Sequence, residues 1–265
     1  MSMSSRELDT IRLFGADVAV ADVPRAAALL LDWARDETTR ACRYVVTPNI
    51  NHVVLLSRRP DFAAAYRDAA LVLVDGMPLV WAGRLLGRRL PGRVAGSDLA
   101  PALFRAAAEG PPLTVFLLGA LPGVAERAAE KVEQTYPGVR VVGTYSPPFG
   151  FEEDPLETAN ILERIASARP QVLAVGLGAP KQELWVHEHR AELSTRVALC
   201  IGATIDFLAE EATRAPVWVR KTGLEWAFRV MQEPRRLAKR YWRDGWAFLP
   251  LFWKEWRQVR QQPCA

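Results

Sequence analysis

VLAVGLGAPKQE, residues 172–183, starts as an unbroken apolar run, turns at two glycines and a proline, and then becomes polar. Three other stretches are built the same way: VVTPNIN at 45–51, LVLVDGMP at 71–78 and VFLLGALPG at 115–123. Short continuous runs of Val, Leu and Ile mark strands buried on both faces, which parallel sheets produce. In open α/β sheets, ligands sit in the crevice beyond the carboxyl ends of such strands. Chemistry is therefore expected just after these four runs.

The rest of the pattern agrees. Residues 11–20 alternate enough for an edge strand or hairpin, and Asp22-Val23-Pro24 opens a helix with Asp22 as its cap. Strands are expected at 43–47, 71–74, 113–118, 139–144, 172–175 and 197–201. Helices are expected over 51–67 with a break near Pro60, and over 78–87, closed by Gly87. An alanine-rich helix capped by Ser97-Asp98 should reach Glu109, and others should cover 122–136, 155–168 and 181–193. Strands alternating with helices give βαβ units, so the fold class is α/β with a mostly parallel, Rossmann-like sheet flanked by helices. From Arg214 only helical patterning remains, to about Gln262. The expected division is an α/β catalytic body over 1–213 and a basic, Trp-rich helical appendage over 214–265.

Bulk properties narrow the classes. The 265 residues are half hydrophobic, enough to bury one large core. The N-terminus offers no apolar h-region, and no run approaches the roughly 18 apolar residues of a membrane span. Cys42, Cys200 and Cys264 are odd in number and widely spaced, suggesting neither a disulfide framework nor a zinc site. A reducing cytoplasm is the default. His52, His187 and His189 form no H-E-x-x-H, so solvated or capping roles are expected and no metal or cofactor is implied.

The net charge of +4 is unevenly held. From Arg214 to Arg260 there are twelve Lys/Arg against four Asp/Glu, a net +8 that leaves −4 for the remainder. Six of the nine tryptophans lie there too: Trp218, Trp226, Trp242, Trp246, Trp253 and Trp256. Basic residues mixed with Trp and Phe on helices suit an anionic membrane surface. Nucleic acid, or a buried Trp core with solvated charges, are the readings composition leaves open beside it.

Four groups at the strand ends can carry chemistry. Asp75 follows four apolar residues and precedes Gly76, which suits a general base; the alternative is a cap for the next helix. Thr47-Pro48-Asn49 offers a hydroxyl and an amide at the same rim, or simple turn chemistry. Gly119 to Gly123 links a strand to a helix N-terminus, a setting suited to a diphosphate, yet it is neither a Walker A loop nor a full G-x-G-x-x-G. Lys181, Gln182 and Glu183 crowd the first turn of a helix, where a cation opposes the dipole unless it faces an anion. No Asp-x-Asp follows a strand, which disfavours a divalent-metal-dependent sugar-nucleotide site. The G-x-S-x-G elbow of a Ser-His-Asp hydrolase is absent too.

In this order, TPNINH at 47–52, LVDGMPLVW at 73–81, GRVAGSDL at 92–99 and FLLGALPGVAERAA at 116–129 resemble the WecG/TagA/CpsF glycosyltransferases. The resemblance (to glycosyltransferase family 26) continues through VGLGAPKQELW at 175–185, IGATIDF at 201–207 and the basic stretch from 214 to 241. It implies transfer of a hexose or N-acetylhexosamine-type sugar, such as N-acetylmannosamine, from a UDP-sugar to a lipid-diphosphate-linked acceptor sugar. Members look inverting and metal-independent, and work peripherally on the inner face of the cell membrane in polysaccharide or wall-polymer synthesis. By this resemblance Asp75 is the base and Thr47 and Asn49 are active-site groups. Arg93, Gly119, Gln182 and Asp206 bind substrate. Arg229, Arg236, Lys239 and Arg240 supply appendage cations that would close over the site.

Two residues depart from the family pattern: Glu210 where glycine is frequent and Ile205 where phenylalanine is usual. The rival functions are a soluble nucleotide-dependent oxidoreductase and a non-enzymatic membrane or nucleic-acid adaptor. The first needs a G-x-G-x-x-G turn with an acidic residue about 20 positions on, which no segment supplies cleanly. Nucleic acid is not an expected partner, and homo-oligomerisation is left open.

Overall fold

The computed structural model describes residues 8–39, 41–211, 215–216, 219, 222–232 and 234–261. Strands β1 (Thr10–Leu13) and β2 (Ala16–Ala19) form an antiparallel hairpin of their own. The main sheet holds β3 (Arg43–Val46), β4 (Leu71–Val72), β5 (Leu113–Gly119), β6 (Val139–Tyr145), β7 (Val172–Gly176) and β8 (Val197–Cys200). Its order is β4-β3-β8-β7-β5-β6 and every pairing is parallel.

Both faces of this sheet are buried. Leu113, Val115 and Leu117 of β5 enter one core while Phe116 and Leu118 enter the other. In β7, Val172 and Ala174 separate from Leu173 and Val175 in the same way. Successive side chains point to opposite faces, so a strand covered on both sides reads as one apolar run. The first face is covered by α1 (Val23–Arg35), α5 (Gly96–Ala106), α6 (Val124–Thr135) and α9 (Thr204–Leu208). The second lies under α2 (Ile50–Arg58), α3 (Pro60–Arg67), α4 (Met77–Leu85), α7 (Pro155–Ala168) and α8 (Lys181–His189).

Local chemistry sets most boundaries as expected. Asp22 caps α1 by accepting from the Arg25 N–H, and Pro60 separates α2 from α3. Three expectations need correction. Ser97-Asp98 does not cap α5: the helix begins at Gly96 after Ala95, and the Asp98 carboxylate accepts from Arg93 instead. Helix α8 stops at His189, where the His189 carbonyl takes the N–H groups of Glu192 and Leu193 in a turn. His52 is not solvated but buried, with Nδ1 2.6 Å from the Tyr66 hydroxyl. Burial, helped by the charge of Arg240, pushes its pKa down to about 4.

The chain ends in α10 (Glu225–Gln232) and the long α11 (Pro234–Gln261). Helix α11 lies along α2, where Asn51 Nδ2 donates to Asp244 Oδ2 at 3.0 Å. Farther on, the Phe14 N–H donates to Glu255 Oε1 at 3.3 Å, and Phe248 meets Phe14 edge-on with centroids 5.1 Å apart. The other side of α11 leaves Trp242, Trp246, Leu249 and Trp253 exposed. Their spacing of four, three and four residues makes one stripe along the helix. No helix among the described residues is long and apolar enough to cross a membrane.

Candidate active site

The topology makes a crevice at the carboxyl ends of the strands. After β5 the chain turns to α6 on the first face, and after neighbouring β7 it turns to α8 on the second. Adjacent β3 and β8 diverge likewise, to α2 and α9. Such switch points open the space where ligands bind. At the first of them Gly119 pairs with Gly176, and a Cβ on Gly119 would stand 2.5 Å from the Gly176 carbonyl oxygen. With φ at +118° as well, position 119 admits glycine alone without the strand ends moving apart. Ser146 fixes the loop from above by donating to the carbonyls of Gly119 (3.1 Å) and Leu121 (3.3 Å).

Asp75 lies at the β4 end of this rim, half-buried, and is held from both sides through the backbone. Its own N–H donates to the Pro48 carbonyl at 2.9 Å, which sets it beside Thr47 and Asn49. On the other side the Val94 N–H donates to the Val74 carbonyl at 2.7 Å, which brings Arg93 alongside. The cap position of α4 is taken by Gly76, not Asp75. Asn49 does serve turn chemistry: its side-chain oxygen caps α2, accepting from the N–H groups of Asn51 and His52. Thr47 is buried and donates to the Cys200 carbonyl at 3.3 Å, tying the ends of β3 and β8 together.

Arg93 is a junction of charges. Its Nη2 donates to Asp98 Oδ2 at 2.7 Å and its Nη1 to Glu225 Oε2 at 2.5 Å. Burial alone would lower the guanidinium pKa, yet the charges of Glu225, Asp75 and Asp98 raise it, so Arg93 stays charged. Its side chain is 13% exposed and that of Glu225 8%, so the pair is buried in the joint between body and C-terminal helices. Next to it, a Cβ on Gly223 would stand 2.8 Å from Met77 Cγ and 2.9 Å from Trp81 Cζ2. Glycine at φ +79° thus lets the chain before α10 pack directly on α4, whose first turn follows Asp75.

At the centre of the crevice, Gln182 and Glu183 are buried at the start of α8. Gln182 Nε2 donates to Glu183 Oε1 at 2.7 Å, and Gln182 Oε1 accepts from the Gly202 N–H at 3.1 Å. Lys181 faces an anion, forming an ion pair with Glu152. Among the described residues no group of three or more His, Cys, Asp or Glu is placed to hold a metal ion.

The sequence matches the glycosyl transferase WecG/TagA/CpsF family over residues 11–262. The chain belongs to that family. It is 31% identical, over 193 residues, to an N-acetylglucosaminyldiphosphoundecaprenol N-acetyl-beta-D-mannosaminyltransferase of Bacillus spizizenii, covering 73% of this chain and 72% of that one. The protein of the same name in Bacillus subtilis is 30% identical over 201 residues, 76% of this chain and 75% of its own. One from Staphylococcus aureus is 28% identical over 196 residues, 74% of each chain.

As a glycosyltransferase of this family, the protein brings Thr47, Asn49, Asp75 and Arg93 to one end of the rim and Gly119 and Gln182 to its centre. Asp206 lies half-buried on α9, where burial raises its carboxyl pKa. Of the appendage cations, Lys239 and Arg240 stand exposed on the first turns of α11, and Arg240 stacks on Tyr241 at 5.2 Å. The side chains of Arg229 and Arg236 lie outside the described residues. Both departures from the family pattern have local settings. Glu210 holds φ at +59°, a left-handed conformation that favours glycine, and pairs with Lys131. Ile205 is fully buried, and its Cδ1 lies 2.8 Å from where a Cβ on Gly176 would be.

Sequence reading missed Glu225 and Asp98 as partners of Arg93, and Glu183 as a buried group. For Glu225 the available signal was its place in the GLEW segment at 223–226.

Proposed function

We propose that this protein is an inverting, metal-independent glycosyltransferase. It moves a hexose or N-acetylhexosamine-type sugar, N-acetylmannosamine first among them, from UDP to a sugar carried on a lipid diphosphate. The observation that carries the reading is the position of Asp75: a half-buried carboxylate on a sheet rim, anchored between Pro48 and the Arg93 segment. The relatives' names supply the sugar and the N-acetylglucosaminyl diphosphoundecaprenol acceptor.

In this mechanism Asp75 takes the proton of the acceptor hydroxyl as that oxygen attacks the anomeric carbon. The bond from that carbon to the diphosphate oxygen breaks, and UDP leaves with the electron pair on the opposite face, so the configuration inverts. The switch point at Gly119 and Gly176, beside the N-terminus of α6, is the place for the diphosphate. Its growing charge is met by protein cations, among them those of the appendage. Arg93, whose charge is held by the carboxylates of Glu225, Asp75 and Asp98, stands beside the base as a fixed cation of the rim.

The acceptor lipid places the reaction at a membrane, on its cytoplasmic face, where UDP-sugars are found. The exposed Trp242, Trp246, Leu249 and Trp253, with Lys254 and Arg257 beside them, fit an interfacial helix on an anionic bilayer. UDP release should be measured with a panel of UDP-sugars and a lipid-diphosphate N-acetylglucosamine acceptor, in the presence of a chelator. Turnover with UDP-N-acetylmannosamine and a product of inverted anomeric configuration is expected. A folded protein that releases UDP from no donor ends this reading.

A further inference from the structure

Glu183 is the third residue of α8, where the helix dipole favours a carboxylate that ordinarily stands in water. Here it is 0% exposed. Helix α8 is packed against α3, β3 and β8, and Glu183 Oε2 has no hydrogen-bond partner among the described residues. A buried carboxylate with one oxygen unmatched is costly and calls for a compensating role. The proposed reaction does not use it.

We infer that Glu183 is a positioning residue: its carboxylate holds the Gln182 amide in the orientation that clamps the end of β8, at Gly202, to the crevice floor. An amide has a donor end and an acceptor end. Glu183 Oε1 takes the donor end at 2.7 Å, which turns the Gln182 carbonyl toward the Gly202 N–H at 3.1 Å. Without an acceptor at 183 the amide is released to rotate, and an NH2 turned toward the Gly202 N–H would set donor against donor. The consequence spreads along the rim. The Gly202 carbonyl lies 2.8 Å from where a Cβ on Gly176 would be, and the Gly176 carbonyl 2.5 Å from one on Gly119. Three neighbouring strand ends are therefore in backbone contact, and Glu183 fixes the one that follows β8.

The same arrangement makes the clamp responsive to pH. Burial pushes the Glu183 carboxyl up to about 7, against the hydrogen bond from Gln182. Tyr66 faces it from α3 and Cys200 from β8, both fully buried and held well above their ordinary values. Beyond them lie His52, pushed down to about 4, and Cys42, pushed up to about 12. On the β3 side the Tyr44 hydroxyl donates to the Ala65 carbonyl and is 3.1 Å from His187 Nδ1. Asp68 and Arg190 close that far end of α8. Protonated, the Glu183 carboxyl becomes a poor acceptor, weaker than a carboxylate or the amide oxygen of a glutamine, and its hold on the Gln182 amide loosens.

The test compares Glu183→Gln, which keeps an acceptor, with Glu183→Met, which has the length but no acceptor, and with Gln182→Ala. The activity arm rests on the glycosyltransferase reading; hydrogen exchange at the Gly202 amide does not. Glu183→Met should speed that exchange about tenfold or more and reduce kcat to the level of Gln182→Ala. The double variant should be no worse than either single one. Glu183→Gln should stay within about threefold of wild type in both readouts, and lose the wild-type fall in turnover as pH drops through about 7. Unchanged Gly202 exchange in Glu183→Met, additive losses in the double variant, or Glu183→Gln as damaged as Glu183→Met would each overturn the inference. If wild type transfers no sugar from any donor, the enzymatic reading fails while the exchange at Gly202 still decides the clamp.

Discussion

The rim of the sheet and the outer face of α11 are both made of charges set among apolar groups, and they use them in opposite ways. At the rim, Arg93 is nearly enclosed and its two ends are committed to Asp98 and Glu225. On α11, Lys254 and Arg257 are exposed, next to Trp253, which is 52% exposed. A buried charge is held in one geometry, and removing its partner leaves it stranded. An exposed charge is solvated, and its contribution is modest, additive and weakened by salt. The rim should therefore respond sharply to single substitutions, and the helix face gradually to several.

The sharpest break in that contrast would come from Asp75→Asn. The substitution preserves size and removes the charge of a half-buried side chain, so the melting temperature should change little. Turnover should fall by about 10²–10⁴-fold, the usual contribution of a positioned base. UDP release read beside a thermal melt checks both parts. Turnover within a few-fold of wild type would remove Asp75 as the base.

Glu225→Leu tests whether the two regions are joined at Arg93. Loss of one partner of a buried pair costs about 3–5 kcal/mol, and the lower end is expected because Asp98 still neutralises Arg93. The melt should shift down, α10 and α11 should become more sensitive to protease than the body, and turnover should drop with them. An unchanged melt and unchanged proteolysis would mean that the joint lies elsewhere.

These two residues also mark what could be read before any coordinates. The parallel sheet was legible because burial on both faces leaves uninterrupted apolar runs, and the place of Asp75 at a strand end was legible because it stops one of them. The cap at Asp22 and the break at Pro60 follow from local backbone chemistry and were equally plain. The Arg93–Glu225 pair was not, since it joins residues 132 positions apart and no periodicity links them. Glu183 was hidden for another reason. A carboxylate in a first helical turn looks the same in sequence whether it faces water or lies beneath α3. His52 was read as solvated or capping because a histidine flanked by polar and apolar neighbours carries no signal of depth.

Glu183 and His52 together sharpen the contrast through pH. The native carboxyl at 183 has a raised pKa, about 7 against 4.5, so its contribution to stability is present below pH 4.5 and lost as pH rises through 7. The imidazole of His52 is lowered from 6.5 to about 4, so its contribution is present above 6.5 and lost as pH falls through 4. The two slopes oppose each other between pH 4.5 and 6.5, and wild type should be nearly flat there. Glu183→Gln removes one slope. It should raise stability at pH 8, and the melting temperature with it, by about 3 kcal/mol at most, and unmask acid destabilisation below pH 6.5. A variant whose melt stays flat across that range would show that neither buried group carries the assigned linkage.

The gentlest effect belongs to the exposed face. Near an anionic bilayer each Lys or Arg contributes about 1 kcal/mol, so Lys254→Ser with Arg257→Ser should weaken vesicle binding by about 2 kcal/mol, roughly 30-fold. Each single substitution should account for about half of that, because exposed charges act independently where buried ones do not. Raising salt should shrink the difference, since the Debye length falls to about 8 Å at physiological ionic strength. Turnover on a water-soluble acceptor should be untouched, as both side chains are exposed and neither belongs to the rim residues. Trp246→Ser should weaken vesicle binding too, yet with little salt dependence, because what it withdraws is apolar area. Equal salt slopes for the charge and tryptophan variants would mean that this face does not meet a charged interface, and the contrast with the rim would need another explanation.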